Sequence, residues 1–172
     1  QITIEAKQID NVRKAYLFES LTWLKYPPSQ LETLSLGLLI EELRECIVQV
    51  RLEWVFVPNR SDVHSDHRVV SQALSAVLKP IYMRSLGVKR VLACEVISET
   101  EAASPLPENL FSPTVFVDVS ETLERKLEIM GLYKTEIQAE PLPRSPSAIR
   151  ALARFRGASI GVQYAESFML IR

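Results

Sequence analysis

Residues 54–67 read WVFVPNRSDVHSDH, and this stretch joins an apolar pattern to a polar one. Its first four residues form a short apolar run that Pro58 and Asn59 stop, which is typical of a buried strand ending in a loop. Apolar residues then recur at spacings of three and four from Val69 to Leu78, until Pro80 ends the pattern. The segment therefore predicts a buried strand, a loop and a helix.

The same alternation extends over the rest of the chain. A helix, a buried strand, a loop and a helix in succession predict an α/β domain with a mostly parallel sheet. We expect the 172 residues to form a single domain, residues 1–172. The predicted helices are 4–18, 36–50, 69–78, a helix that Ser120 caps and that extends to about Ile137, and one capped by Ser145 with Pro146 first; the predicted strands are 21–25, 54–57, 90–97 and 114–119.

Composition narrows the classes of function. The formal net charge of -1 indicates no general attraction to nucleic acid or to an anionic membrane. No apolar run reaches the roughly 18 to 20 residues that span a bilayer. Cys46 and Cys94 belong to no CxxC pair, which favours a reduced, cytoplasmic protein. Five glycines without a GxGxxG or P-loop pattern argue against a nucleotide site.

The chain contains two histidines, His64 and His67, where the loop after the buried strand enters the next helix. Ligands bind beyond the carboxyl ends of strands in open α/β sheets. A helix N-terminus disfavours the imidazolium, so His67 is suited to bind a metal as a neutral ring. Asp66 can orient an imidazole or cap the helix, and His64 can donate to charge on a substrate oxygen. The alternative is a helix cap with a surface histidine, which is the commoner origin of a lone HxxH.

Three further residues are candidates for substrate binding: Asp62, Arg68 and Glu95. Asp62 can join the site or turn the loop through its side chain. Glu95 can line a pocket or face solvent at the end of its strand. A polar loop from Glu99 to Pro113 is of the kind that rims a site.

Residues 57–70 resemble the second conserved motif of the LmbE-like and PIG-L-like deacetylases, roughly P-x-D-x-H-x-D-H-R. The similarity continues in residues 26–32, 116–120 and 150–168, and it covers the chain from about residue 5 to its end. The resemblance implies a Rossmann-like three-layer α/β sandwich with one zinc ion. It also implies that His67 is a zinc ligand and that His64, with Asp66 as its partner, stabilises the oxyanion or acts as an acid.

One part of the family pattern is absent from these 172 residues. The His-Pro-Asp-Asp motif, which in the family supplies the general base and two zinc ligands, does not occur. We expect that a preceding segment carries this motif together with an N-terminal strand. The alternatives are a relative that has lost the metal and a partner chain that completes the site.

The resemblance implies a hydrolase that removes an N-acetyl group from an amino sugar or a related small N-acyl compound. A second hypothesis is a zinc-dependent hydratase on the same scaffold, and a third is a non-catalytic protein with a vestigial metal site. The expected partner is a small N-acetylated molecule, with no nucleic acid and no membrane span. A homo-oligomer is one option for its assembly.

Overall fold

The computed structural model describes residues 2–172, and the run at residues 54–57 forms a strand as predicted. Val55 and Val57 are buried in this strand, whereas Trp54 and Phe56 on its other face are about half exposed. The described helices are α1 (Ile2–Tyr16), α2 (Leu36–Val50), α3 (Ser65–Val77), α4 (Pro80–Leu86), α5 (Leu123–Met130) and α6 (Pro146–Ala158); the strands are β1 (Trp54–Pro58), β2 (Arg90–Cys94), β3 (Val115–Asp118) and β4 (Ala165–Leu170). No helix of residues 2–172 is long and apolar enough to cross a bilayer.

The strands form one sheet in the order β1–β2–β4–β3, which places β1 at an edge. β1 and β2 are parallel, with Val57 opposite Ala93. β2 and β4 are antiparallel, with Ala93 opposite Met169. The α/β class is confirmed, but the sheet is mixed and not mostly parallel, because β4 returns antiparallel beside β2. β4 is an apolar segment near the end of the chain, and its sequence does not indicate whether it pairs parallel or antiparallel with its neighbour.

The described residues divide into two compact units. One comprises the chain up to Trp23 together with Phe116–Glu166, and the other comprises Leu24–Val115 and Ser167–Arg172. The second unit contains a core in which α2, α3 and α4 pack on β1 and β2. Its buried apolar residues are Ile47, Val55, Val57, Leu74, Val77, Leu78, Met83, Val88, Val91 and Ala93.

Several predicted elements are confirmed and others are wrong. α2 has the predicted bounds, and α6 begins as predicted, with the Ser145 hydroxyl accepting from the Ala148 amide at 3.3 Å. The predicted strand at 21–25 does not form; Lys25 has a left-handed φ of 60° and prolines without an amide hydrogen follow it. Pro80 ends one helix but also starts the unpredicted α4.

The predicted helix after Ser120 is shorter and starts later. Ser120 does not cap it, since its amide and hydroxyl donate to Asp118 at 2.9 and 2.6 Å. Thr122 is the N-cap of α5, and the helix ends at Met130 before Gly131. The residues from there to Ile137 form turns. The Asp118 carboxylate, held by the Ser120 hydroxyl and amide, has a pKa below its usual range.

Gly157 in α6 is packed against backbone. A Cβ at this position would lie 2.8 Å from the Val162 carbonyl oxygen and 2.9 Å from both the Gln163 oxygen and the Tyr164 Cα. Because these are main-chain atoms of the same unit, Gly157→Ala should lower the free energy of unfolding by about 1–3 kcal/mol. Urea titration followed by circular dichroism measures this change.

Gly37 provides the matched control for Gly157. Its added Cβ would meet only the Ser35 hydroxyl at 3.6 Å, an ordinary contact, in the first turn of α2. Gly37→Ala should therefore leave stability unchanged or raise it by up to about 1 kcal/mol through better helix propensity. Equal stabilities of the two variants would show that α6 does not depend on this close approach.

Candidate functional site

Asp62 is the buried centre of the loop between β1 and α3. Its side chain is fully buried, with 0% of its surface exposed. One carboxylate oxygen, Oδ1, accepts from the Thr100 hydroxyl at 2.8 Å, and the other, Oδ2, lies 2.8 Å from His67 Nδ1. The loop turns at this point because the Asp62 amide donates to the Asn59 carbonyl. Asp62 thereby links the loop after β1 to the loop after β2 and to α3.

These contacts define the tautomer of His67. The Val96 amide donates to the Thr100 hydroxyl oxygen at 2.8 Å, so the hydroxyl hydrogen is directed to Asp62. The carboxylate accepts from both neighbours, and Nδ1 of His67 is therefore the protonated nitrogen. The lone pair remains on Nε2 of a side chain that is 27% exposed. A carboxylate behind an imidazole is the arrangement that orients metal-binding histidines in proteins.

His64 lies beside His67 at the start of α3. It is the N-cap residue, and its Nδ1 accepts from the Asp66 amide at 3.1 Å. The two imidazole rings stack with centroids 4.9 Å apart and an interplanar angle of 14°. Because Nδ1 of His64 is an acceptor, the neutral ring carries its hydrogen on Nε2. The stacked pair thus combines an imidazole with a lone pair on Nε2 and one with a donor on Nε2.

Asp66 is hydrogen-bonded to the main chain. Its carboxylate accepts from the amides of Ser29 at 2.7 Å and Leu31 at 3.0 Å. The same segment is tied to α2 through the Tyr26 phenol, which donates to Glu42 at 2.6 Å. This hydrogen bond raises the pKa of Tyr26 above its usual value. Asp66 thus anchors residues 26–31, while the carboxylate that contacts an imidazole is that of Asp62.

The structure places the other two predicted substrate-binding residues in different surroundings. Arg68 Nη1 donates to the Asp62 carbonyl at 3.0 Å and to the Val63 carbonyl. Arg68 therefore connects α3 to the loop that precedes it. Glu95 follows β2 and accepts from the Ser167 hydroxyl at 2.8 Å. Asp62, His64, Asp66, His67 and Arg68 are thus joined by direct contacts around one loop. Their assigned roles stay predictions.

The described residues supply only part of a metal site. His67 fits one ligand position, since its Nδ1 is held by a buried carboxylate and the neutral ring in this tautomer has its lone pair on Nε2. Among residues 2–172 no group of three or more histidine, cysteine, aspartate or glutamate side chains could hold a metal ion. A catalytic zinc typically requires three protein ligands and an open position. Residues 2–172 therefore do not fit a complete zinc site by themselves.

Thr100 is the residue of this site that the sequence did not identify. It lies 38 positions beyond Asp62 and is 6% exposed. The only available signal is its place in the loop 99–113, which we expected to rim a site. A threonine with its hydroxyl oriented by a backbone amide cannot be distinguished in sequence from other loop threonines.

Comparison with known families gives a match over part of the chain. Residues 2–78 match the family described as PIG-L: GlcNAc-PI de-N-acetylase. This match confirms the resemblance over residues 2–78, which include the loop with both histidines. A comparison with curated proteins finds no match.

Three solved structures have similar folds. The N,N'-diacetylchitobiose deacetylase from Pyrococcus horikoshii has a TM-score of 0.74 at 17% identity, over 98% of this chain and 63% of that chain. A conserved protein from Thermus thermophilus has a TM-score of 0.75 at 19% identity, over 98% and 73%. The 4-carboxy-2-hydroxymuconate hydratase from Pseudomonas putida has a TM-score of 0.72 at 14% identity, over 99% and 72%. These likenesses show the fold, and this chain spans less than two thirds of the deacetylase.

Proposed function

We propose that the chain is the larger part of a metal-dependent amide hydrolase, and the match of residues 2–78 to the PIG-L family supports this. The proposed reaction removes the acetyl group from an N-acetylated amino sugar or a related small N-acyl compound. The observation that carries the proposal is the orientation of His67. Its Nδ1 is bound to the buried Asp62, and its Nε2 is left as a ligand atom beside the His64 ring.

We assign each side chain a distinct role in this reaction. A zinc ion, when bound, would act as a Lewis acid that polarises the amide carbonyl and acidifies water. His67 would supply one ligand, and Asp62 with Thr100 would hold its ring in the required tautomer. His64 would donate from Nε2 to the negative charge that develops on the carbonyl oxygen. Asp62 and Arg68 would act on the substrate indirectly, through the shape of the loop.

The remaining groups lie outside these 172 residues in our proposal. A His-Pro-Asp-Asp motif would supply two further ligands and the aspartate that accepts a proton from the attacking water. That water would form a bond to the acyl carbon, the carbon–nitrogen bond would break, and the proton would leave with the amine. The products would be acetate and a free amine. We also propose that the protein is cytoplasmic and that it forms a homo-oligomer.

Chelation and acetate release test the proposal together. The purified protein containing this chain should release acetate from N-acetylglucosamine derivatives, lose activity after treatment with a chelator, and regain it with zinc. Because the chemistry requires the Lewis acid, we expect a loss of about 1,000-fold or more. An enzyme whose activity survives complete removal of the metal would contradict the metal-dependent mechanism.

The hydratase is the second candidate function, and one structural likeness favours it. The Pseudomonas putida protein with this fold is described as a hydratase, so the fold is compatible with addition of water to a carbon–carbon double bond. That reaction releases no acetate. Turnover of an unsaturated acid without acetate release would favour this candidate, and a metal-free protein without turnover would favour the non-catalytic alternative.

A further inference from the structure

A cavity of about 400 Å³ lies in the second unit, between α3, the sheet strands and the loop 107–110. Its apolar lining comes from β1, β2, β4 and α3, and neither His64 nor His67 is among the described residues that line it. The volume is in the range of small-molecule sites. Val57, Leu74, Ala93 and Met169 are among the apolar side chains that line the cavity.

Asn59 contributes a buried polar side chain to the lining of this cavity. It is 1% exposed and lines the cavity, and its Nδ2 is one of two buried side-chain nitrogens in residues 2–172 that have no hydrogen-bond partner. A buried donor without an acceptor is unfavourable, so a ligand oxygen in the cavity would satisfy it. Ser71, which is 6% exposed, adds a hydroxyl to the same lining.

The charged residues of the lining favour an anionic ligand. Among the described side chains of the lining, Arg60 and Arg172 contribute two guanidinium groups and Glu108 contributes one carboxylate. Each arginine is positioned by a main-chain carbonyl. Arg60 Nη2 donates to the carbonyl oxygen of Glu108 at 3.1 Å, and Arg172 Nη1 donates to that of Leu78 at 2.8 Å. Among residues 2–172 each of these two guanidinium groups donates to carbonyl oxygens and neither forms a salt bridge, so their positive charges are not neutralised there. A planar guanidinium is the side chain best suited to pair with a carboxylate.

We propose that this cavity binds a medium-chain monocarboxylate. The carboxylate accepts from Asn59 Nδ2 beside the positive charge of Arg60, and the hydrocarbon chain packs on Val57, Ala93 and Met169. A sugar would leave several hydroxyl groups against the apolar lining, where they would lack partners. Binding in this cavity does not depend on the proposed hydrolase activity.

Titration of the ¹⁵N-labelled protein with hexanoate and octanoate, below their micellar concentrations and with a chelator present, tests the inference. We expect saturable shifts of the Asn59 side-chain amide resonances and tighter binding of octanoate than of hexanoate. Asn59→Leu removes the donor and the unpaired group together, so the variant should fold. It should weaken octanoate binding by about 10-fold or more, as for a hydrogen bond to a charged group.

Two controls make the result specific. Asn11→Leu makes the same change at an exposed position in α1 and should bind octanoate like the unmodified protein. 1-Octanol has the same chain without the charge and should bind at least about 10-fold more weakly than octanoate. The inference is overturned if octanoate leaves the Asn59 resonances unchanged, if Asn59→Leu binds it equally well, or if octanol binds as tightly.

Discussion

Replacing His67 with glutamine should remove zinc from the intact protein and lower kcat/KM for acetate release by about 1,000-fold or more. The imidazole Nε2 is the ligand atom in our proposal, and an amide is a poor substitute for it. Glutamine is preferred to alanine because its amide can still donate to the buried Asp62 carboxylate. Metal analysis and acetate release of the same preparation measure the two effects.

His64→Asn is the matched control for this substitution. Asparagine is a good N-cap, so α3 should keep its first turn, while the imidazole that donates to the oxyanion is lost. This variant should retain zinc and lose about 10²- to 10³-fold in kcat. If His67→Gln is folded by circular dichroism and its zinc content is unchanged, the assignment of His67 as a ligand is contradicted.

Asp62→Asn should move the proton of His67 from Nδ1 to Nε2. The Thr100 hydroxyl accepts from the Val96 amide and must donate to position 62, which requires the oxygen of the new amide to face Thr100. The amide nitrogen then faces His67 Nδ1 and donates to it. Nε2 becomes protonated and can no longer bind a metal as a neutral ligand. We expect the affinity for zinc to fall about 10- to 100-fold.

Long-range ¹H–¹⁵N correlation spectra of the imidazoles report this tautomer directly, with or without metal. Asp66→Asn is the matched control, because it makes the same change in a carboxylate bound to the Ser29 and Leu31 amides. It should leave the His67 tautomer unchanged. An Nδ1-protonated His67 in Asp62→Asn would show that Asp62 does not set the tautomer.

The strand, loop and helix around the two histidines could be predicted because each has a local signal. The apolar run of β1 is ended by Pro58, and the helical spacing of α3 is clear in the sequence. Local sequence does not predict which of the two carboxylates, that of Asp62 or that of Asp66, contacts the His67 ring. Asp66 is adjacent to His67 in sequence, but its position on α3 turns its side chain to residues 29–31. Asp62 reaches the ring because the loop turns back at Asn59.

Long-range pairing explains what the sequence did not predict. The direction of β4 depends on its neighbour β2, and no residue of β4 specifies an antiparallel arrangement. The short helix α4 was not predicted, because a proline can end one helix and also start another. The turns after Met130 replace a predicted helical extension because Gly131 has a lower helix propensity than the preceding residues.

The edge position of β1 affects how a polypeptide of these residues behaves at high concentration. Within the described sheet, β1 has a neighbouring strand only on the β2 side, so its other side offers main-chain amides and carbonyls to a further strand. Trp54 and Phe56 add exposed apolar surface beside these groups. Such an edge is a template for intermolecular sheet growth, and its five-residue length and terminal Pro58 keep the template short.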